Sequence, residues 1–524
     1  MARHRQGAAR RFRPLRDGLC WSSGDIGSSG REDVVAPSTG SRARFGRRDR
    51  LALLAAASAA LVVELDWLAV NVALPKIAED VGRPVTDLQW LISAFTLAFG
   101  SGMPVAGWVI DAFGRRRTTI HGLALFALGS LLCACAPSLA LLVSGRVVQG
   151  IAGAFIVPGA IAMTAGGFTG RRREVGLGVV MAAASGAAAF APFVGGALVS
   201  GFGWRSVFVG VLPVCLVSAA LIHWCVTPSF DPDAAARRPP LLNGGCVVFG
   251  AVLLTLTVDR GPTWGWSSAA TLLCAIGGFA LLVGFALLER SDKPPLLDRS
   301  LYRDRPLRLL TLAGAISVVG FVIVSTFVTW DLQEAMGLSP FVAGCTLLAF
   351  SFPNAAAAYG AGRLAGRSGA WGWLATALAV AGAGALAVSL APFPTAYSLT
   401  LALCGTGIGL SGALCTVLTQ QRVPTPQAGA VASLTLAFKY LAAAIATSLA
   451  ATLLEGLRGS TEGAAADRGG IDTVLRGVAV LTAAGVLLAL PDALRAARRG
   501  GRRAGGPGGR AEHRSGSPET GRKP

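Results

Sequence analysis

Charge is scarce in this chain: only 14% of its 524 residues are Asp, Glu, Lys or Arg. Soluble domains average about 25%, so a water-soluble fold is excluded, and the mean hydropathy of +0.58 agrees. Histidine occurs four times, at His4, His121, His223 and His513, scattered and without ligand spacing. A metal enzyme is not expected from such a set. No Gly-x4-Gly-Lys-Ser/Thr nucleotide loop occurs, which argues against an ATP-driven pump. The ten cysteines offer no disulfide framework. Cys133 and Cys135 are two apart, too close for Cys-x2-Cys ligation, and they sit with Cys215, Cys274 and Cys404 in apolar runs. Small apolar packing suits them better. Neither cofactor nor metal is expected, and the chain reads as no enzyme. Residues 1–50 are rich in Arg, Gly and Ser and lack an early apolar core, so no secretory signal is expected either.

What is abundant is apolar length. Hydrophobic residues make up 53% of the chain and fall into runs of about 20, the length that crosses a bilayer as a helix. The chain is therefore an all-α, polytopic membrane protein. Fourteen spans are predicted: 51–73, 88–110, 118–136, 139–161, 175–200, 205–226, 241–258, 269–288, 308–332, 341–362, 371–391, 395–420, 428–453 and 473–491. Residues 1–50 and 492–524 read as disordered basic tails; the second contains GGRRAGGPGGR, which cannot bury a core.

The net charge of +19 is mostly arginine in the tails and short loops. Nucleic acid is not the expected partner, because positive charge beside helix ends is what retention on the cytoplasmic side requires. Arg115–Arg117, Arg171–Arg173, Arg237–Arg238, Arg363 with Arg367, and Arg422 fall on one side if the N-terminus is inside. An even number of spans places both termini in the cytoplasm.

A weak internal repeat is present. GWVIDAFG (107–114) follows span two and GRLAGRSG (362–369) follows span ten, each with Gly at its first and eighth positions. A duplicated bundle leaves such a trace. The expected domains are six-helix bundles over 51–226 and 308–491, with two inserted helices over 241–288.

In GWVIDAFGRRRTTI, Gly107 and Gly114 permit close approach and a tight turn. Asp111 can accept from a neighbouring helix N-terminus or a loop arginine, and Arg115 and Arg116 anchor the loop. A plain positive-inside loop would explain the arginines but not the Gly-x3-Asp-x2-Gly spacing. Here the chain resembles the major facilitator superfamily, in which this loop is a conformational latch between two bundles. LDWLAVNVALP (65–75) is similar to the helix-one motif LDxTIVNVALP of its fourteen-helix drug:proton antiporters, with Leu68 at the usual Thr and Asp66 on the family's acid. SGRVVQGIAGAFIVPGA (144–160) resembles the helix-four motif that carries an intramembrane arginine, here Arg146; the plain alternative is an arginine snorkelling at a helix end. The antiporter motif of helix five, Gly-Pro-x2-Gly-Gly, is matched by Pro192, Gly195 and Gly196, with Ala191 for the first Gly. DLQEAMGLSPFVAG (331–344) resembles the family's segment joining spans nine and ten, with Asp331 for an aromatic.

Glu64 and Asp66 both lie in span one. Two residues apart on a helix is about 200°, so they face nearly opposite sides. Asp66 shares a small, mildly apolar face with Val62, Ala69, Val70 and Ala73, suited to a cavity wall. Burial disfavours the charged form of a carboxyl, so a carboxyl that holds a proton and yields it to water or a cation could couple transport to protons. Glu64 reads either as a second, substrate-facing acid or as the partner of Arg146. The resemblance implies proton coupling through Asp66, Arg146 and Glu64, and export of hydrophobic drug-like molecules or secreted metabolites, cations among them, across the cell membrane. No cofactor beyond the proton motive force is implied, and a monomer is expected. A proton-coupled importer on the same fold, or a non-transporting sensor or scaffold, are the rival readings.

Overall fold

The computed structural model describes residues 45–83, 85–228, 241–290, 301, 303–338, 340–367, 369–391, 395–458 and 464–504. Most of the expected tails, and Arg237–Arg238, lie outside the described residues. Fourteen long helices occur among those described, and no strand. They are α1 (Arg47–Val81), α2 (Val85–Phe113), α3 (Arg115–Ala134), α4 (Leu139–Gly167), α5 (Gly170–Phe202), α6 (Arg205–Cys225) and α7 (Leu241–Trp264). They continue as α8 (Ala269–Arg290), α9 (Arg305–Trp330), α10 (Pro340–Leu364), α11 (Ala370–Val388), α12 (Thr395–Arg422), α13 (Ala428–Arg458) and α14 (Ala464–Ala504).

Twelve of them are long and apolar enough to cross a membrane, or thirteen with the bent α5 taken as one span. The expected count of fourteen spans is thus not confirmed by length and composition among the described residues. The apolar part of α7, Leu242–Val258, is shorter than the others. The chain is a multi-pass helical membrane protein.

Three boundaries differ from expectation. The break expected between spans 51–73 and 88–110 is helical as far as Val81, and in it Lys76 and Glu79 pair one turn apart at 2.5 Å; such i,i+3 pairs favour helix. Helix α14 runs on to Ala504, into the tail expected from 492. Its ALRAARR stretch is built of strong helix formers. At the other end, helix begins at Arg47, inside the expected N-terminal tail. The Gly46 amide donates to Asp49 Oδ2 at 3.0 Å and caps it.

Helix α1 packs on α4, α5 and α6, α2 on α4, and α3 on α4 and α6. Helix α9 packs on α12, α13 and α14, α10 on α12, and α11 on α12 and α14. The two sets meet through α5 against α10 and α2 against α13; α7 pairs with α8 and touches α2 and α13. Glycines at several contacts, such as Gly150 against Phe95 and Gly405 against Phe350, leave no room for a Cβ, which lets backbones approach where lipid offers no hydrophobic drive between helices. Helix α5 bends by 46° between Gly170–Ala188 and Phe193–Phe202, the interval that holds Pro192; a proline removes one ladder bond and kinks a helix. A single π-turn, Asp331–Ala335, follows α9.

Candidate functional site

The charged residues of helices α1 and α4 converge. Asp66 and Arg146 are both wholly buried, and Arg146 Nη1 lies 2.5 Å from Asp66 Oδ2. Gln149, one turn on from Arg146, closes the arrangement. It donates from Nε2 to Asp66 Oδ1 at 3.0 Å and to Ser130 Oγ at 2.8 Å, and its Oε1 accepts from Arg146 Nη1 at 2.9 Å. Arg146 Nε donates to the Leu91 carbonyl at 3.0 Å, and the guanidinium covers the Phe95 ring at 4.3 Å. Both oxygens of Asp66 are therefore occupied. A buried ion pair owes its survival to such additional bonds, because desolvation costs several kcal/mol per ion.

This settles the partner of Arg146, which is Asp66 and not Glu64. It also corrects the expectation that Asp66 forms a cavity wall. The face it shares with Val62, Ala69, Val70 and Ala73 is buried against neighbouring helices, because the small residues that suit a cavity also suit close helix packing.

Glu64 is the acid at the cavity. A cavity of about 110 Å³ lies between the two helix sets, lined from α1 by Glu64, from α5 by Met181 and Ser185, from α9 by Ser317 and Phe321, from α10 by Asn354, and from α13 by Tyr440. The Tyr440 hydroxyl donates to Glu64 Oε1 at 3.2 Å, so one carboxyl oxygen is held across the junction of the two sets. Tyr440 meets Phe99 edge-on at 5.3 Å and Trp67 at 5.8 Å, while Phe99 stacks on Phe95 at 5.6 Å. An aromatic stack thus connects the cavity to the buried ion pair.

The loop motif docks on the first turn of α13. Asp111 accepts from the amides of Gly429 at 3.2 Å and Ala430 at 2.8 Å, the first turn of α13. A carboxylate there satisfies orphan N–H groups and complements the helix dipole. Arg115 bonds the Thr425 carbonyl and lies 3.4 Å from Asp111 Oδ1, while Arg116 is part exposed beside it. Gly114 turns with φ of 98°. At Gly107 a Cβ would stand 2.7 Å from Ala430 Cα and 2.8 Å from Ser433 Cβ, so only glycine fits.

The second copy, GRLAGRSG, lacks an acid, and a weaker attachment is the expectation. The structure supplies the acid from the other side. Glu174 of α5 reaches the space over Gly366 and accepts from Gln421 at 2.8 Å. Arg171 donates to the Arg363 carbonyl at 2.8 Å, and Arg173 bonds the Gln420 carbonyl. Both copies therefore tie the helix sets together.

In helix α5, Gly195 lies against α1, where a Cβ would stand 3.0 Å from Ala69 Cα. Gly196 has ordinary room, with Val72 Cγ1 at 3.9 Å from the same virtual atom. The side chain of Pro192 lies outside the described residues. Asp331 is buried and accepts from the Tyr397 hydroxyl at 2.9 Å, which gives this unusual acid a partner. At the opposite end of α1, Asp80 accepts from Arg205 at 2.7 Å and from the Trp204 indole at 3.0 Å. These bonds, Arg205 foremost, hold its carboxyl below the usual carboxylate range.

The motifs point to Asp66 and Arg146 but pass over Gln149, Tyr440, Lys439 and Asn354. Gln149 lies in the same helix-four stretch, three residues from Arg146, and its polarity in an apolar run is a usable signal. FKY at 438–440 is another: a lysine in the middle of a span. Among the described residues no group of His, Cys, Asp and Glu could hold a metal.

The structure is thus a multi-pass helical bundle with a cavity lined by an acid, Glu64. The chain belongs to the Major Facilitator Superfamily, whose family model matches residues 56–447. It is similar to the tetracenomycin C resistance and export protein of Streptomyces glaucescens, with 32% identity over 307 residues, 56% of this chain and 55% of that one. It is similar to the multidrug resistance protein Stp of Mycobacterium tuberculosis, with 32% identity over 332 residues, 62% of this chain and 60% of that one. The chain thus spans between half and two thirds of the length of these relatives. The crystal structure of the human organic anion transporter MFSD10 shares the fold, with a TM-score of 0.63, 16% identity, and coverage of 85% of this chain and all of that one.

Proposed function

We propose that this chain exports hydrophobic drug-like molecules or secreted metabolites, cations among them, in exchange for protons. The observation that carries the reading is the division of labour between two acids two residues apart. Glu64 lines the cavity between the helix sets, and Asp66 is sealed behind it with Arg146 and Gln149. An acid in a membrane span is costly and marks a substrate, ion or proton path. The printed names of the relatives, resistance and export, agree with outward transport of drug-like molecules.

In this reading the helices α1–α6 and α9–α14 rock about the cavity as two bundles, with α7 and α8 inserted between them in sequence. The loop attachments at Asp111 and at Glu174 hold one closed state, with the arginine loops and both termini cytoplasmic and the chain acting as a monomer. Proton entry that disturbs the Asp66–Arg146 pair loosens the contacts of α1 with α4. Each charge moved across the membrane contributes about 2.3 kcal/mol per 100 mV.

The test is transport by the purified chain in proteoliposomes with an imposed proton gradient. A lipophilic cation dye should move uphill against the proton flow. Movement of solute and proton in the same direction would establish an importer. No movement in either direction would leave a sensor or scaffold.

A further inference from the structure

Lys439 lies in α13, within a stretch able to span the membrane, and is 3% exposed. Its side chain fills the space over Gly314 of α9. A Cβ on Gly314 would stand 2.5 Å from Lys439 Cε and 2.9 Å from Nζ, and 3.3 Å from Cys415 Cβ of α12. Among the described residues Lys439 makes no ion pair and no hydrogen bond. Taking an ammonium out of water without a countercharge is expensive, so its presence calls for a partner that the described residues do not provide.

The cavity lies one turn away. Ser317 follows Gly314 by three residues on α9 and Ser411 precedes Cys415 by four on α12, the spacings of one helix face. Their hydroxyls are 2.8 Å apart, and Ser317 lines the cavity. Asn354 of α10 lines it too. It is 2% exposed, and its amide makes no hydrogen bond among the described residues. Among the described residues a buried amide in the cavity wall and a buried cation one helical turn behind that wall thus have no hydrogen-bond or ion-pair partner, while Glu64 borders the cavity from α1.

We propose that the cavity wall built by α9, α10, α12 and α13 is a subsite for an acidic group of the transported molecule, with Lys439 as its countercharge and Asn354 as a hydrogen-bond donor. With Glu64 on the α1 side, the cavity selects amphoteric molecules: an apolar body bearing both a basic and a carboxylic group. A carboxylate brings the missing charge and several lone pairs at once. This rests on the export reading and adds the substrate class to it.

The test compares a zwitterionic fluoroquinolone with its methyl ester, which differ only in the acidic group. Equilibrium binding is measured on the purified full chain in micelles, and transport on the same chain in proteoliposomes. The wild type should bind the acid more tightly than the ester by on the order of tenfold, about 1.4 kcal/mol. Lys439→Met should abolish that preference by weakening the acid and sparing the ester, and ester binding verifies that the variant is folded. Should Lys439→Met fail to fold, Gly314→Ala, which crowds the amine, must weaken the acid more than the ester. Equal wild-type binding of acid and ester, or equal loss of both in Lys439→Met, overturns the subsite. The expected preference without proton-driven transport keeps the subsite and removes the export reading. Proton-driven export without the preference does the reverse.

Discussion

The ion pair between Asp66 and Arg146 separates stability from function when its members are removed one at a time and then together. Both residues are wholly buried and 2.5 Å apart. Arg146→Met leaves Asp66 with Gln149 alone, and Asp66→Leu leaves the guanidinium with Gln149 and the Leu91 carbonyl. Each single change strands a buried charge, at a cost of about 3–5 kcal/mol. The double variant strands none. Gln149 and the Leu91 carbonyl still lose a partner, a cost on the order of 1–3 kcal/mol. Asp66→Leu/Arg146→Met should therefore be more stable than either single variant, with a coupling energy of several kcal/mol. Equilibrium unfolding in mixed micelles measures this. Proton-driven transport should be absent in all three variants, because each lacks either the acid that takes up the proton or the arginine whose pairing that proton disturbs. A double variant as unstable as the sum of the singles would refute the pair as an energetic unit. A double variant that transports like the wild type would remove it from the mechanism.

Asp111→Ala removes both bonds to the first turn of α13, each on the order of 1–3 kcal/mol for a charged acceptor; turnover should fall by tenfold or more while substrate affinity holds, and lost affinity at an unchanged exchange rate would sink the latch. Glu64→Gln keeps the Tyr440 contact but removes the charge from the cavity, so export of cationic dyes should weaken while neutral compounds are spared; equal loss for both classes would exclude substrate recognition. For Asp80 the sign follows from its lowered folded value: the stabilisation is present above the ordinary carboxylate value of about 3.9 and is lost as pH falls through the lower, folded one. Thermal unfolding of the wild type should therefore lose ground below about pH 4 relative to Asp80→Asn, and parallel acid profiles would exclude the Asp80–Arg205 contact as a contributor.

The sequence by itself determined the material of this protein. Runs of about 20 apolar residues leave a chain in a membrane no option but helices, because every backbone group must be satisfied within the segment. The Gly-x3-Asp-x2-Gly loop was equally legible, since an acid and two glycines at that spacing fit a helix N-terminus. The 200° between Glu64 and Asp66 also follows from sequence, for it is helix geometry. Which of the two meets the cavity does not, because a face of small residues serves a cavity and a packed interface alike. Only the tertiary structure put Arg146 on Asp66 across 80 positions of chain, gave the second loop an acid from Glu174, and brought Tyr440 to Glu64 across 376. Pairings at such separations are set by how whole helices pack, and local sequence carries no measure of that. Lys439 makes the point most sharply: its charge in a span is plain in the sequence, but that it has no partner among the described residues is a property of the folded bundle.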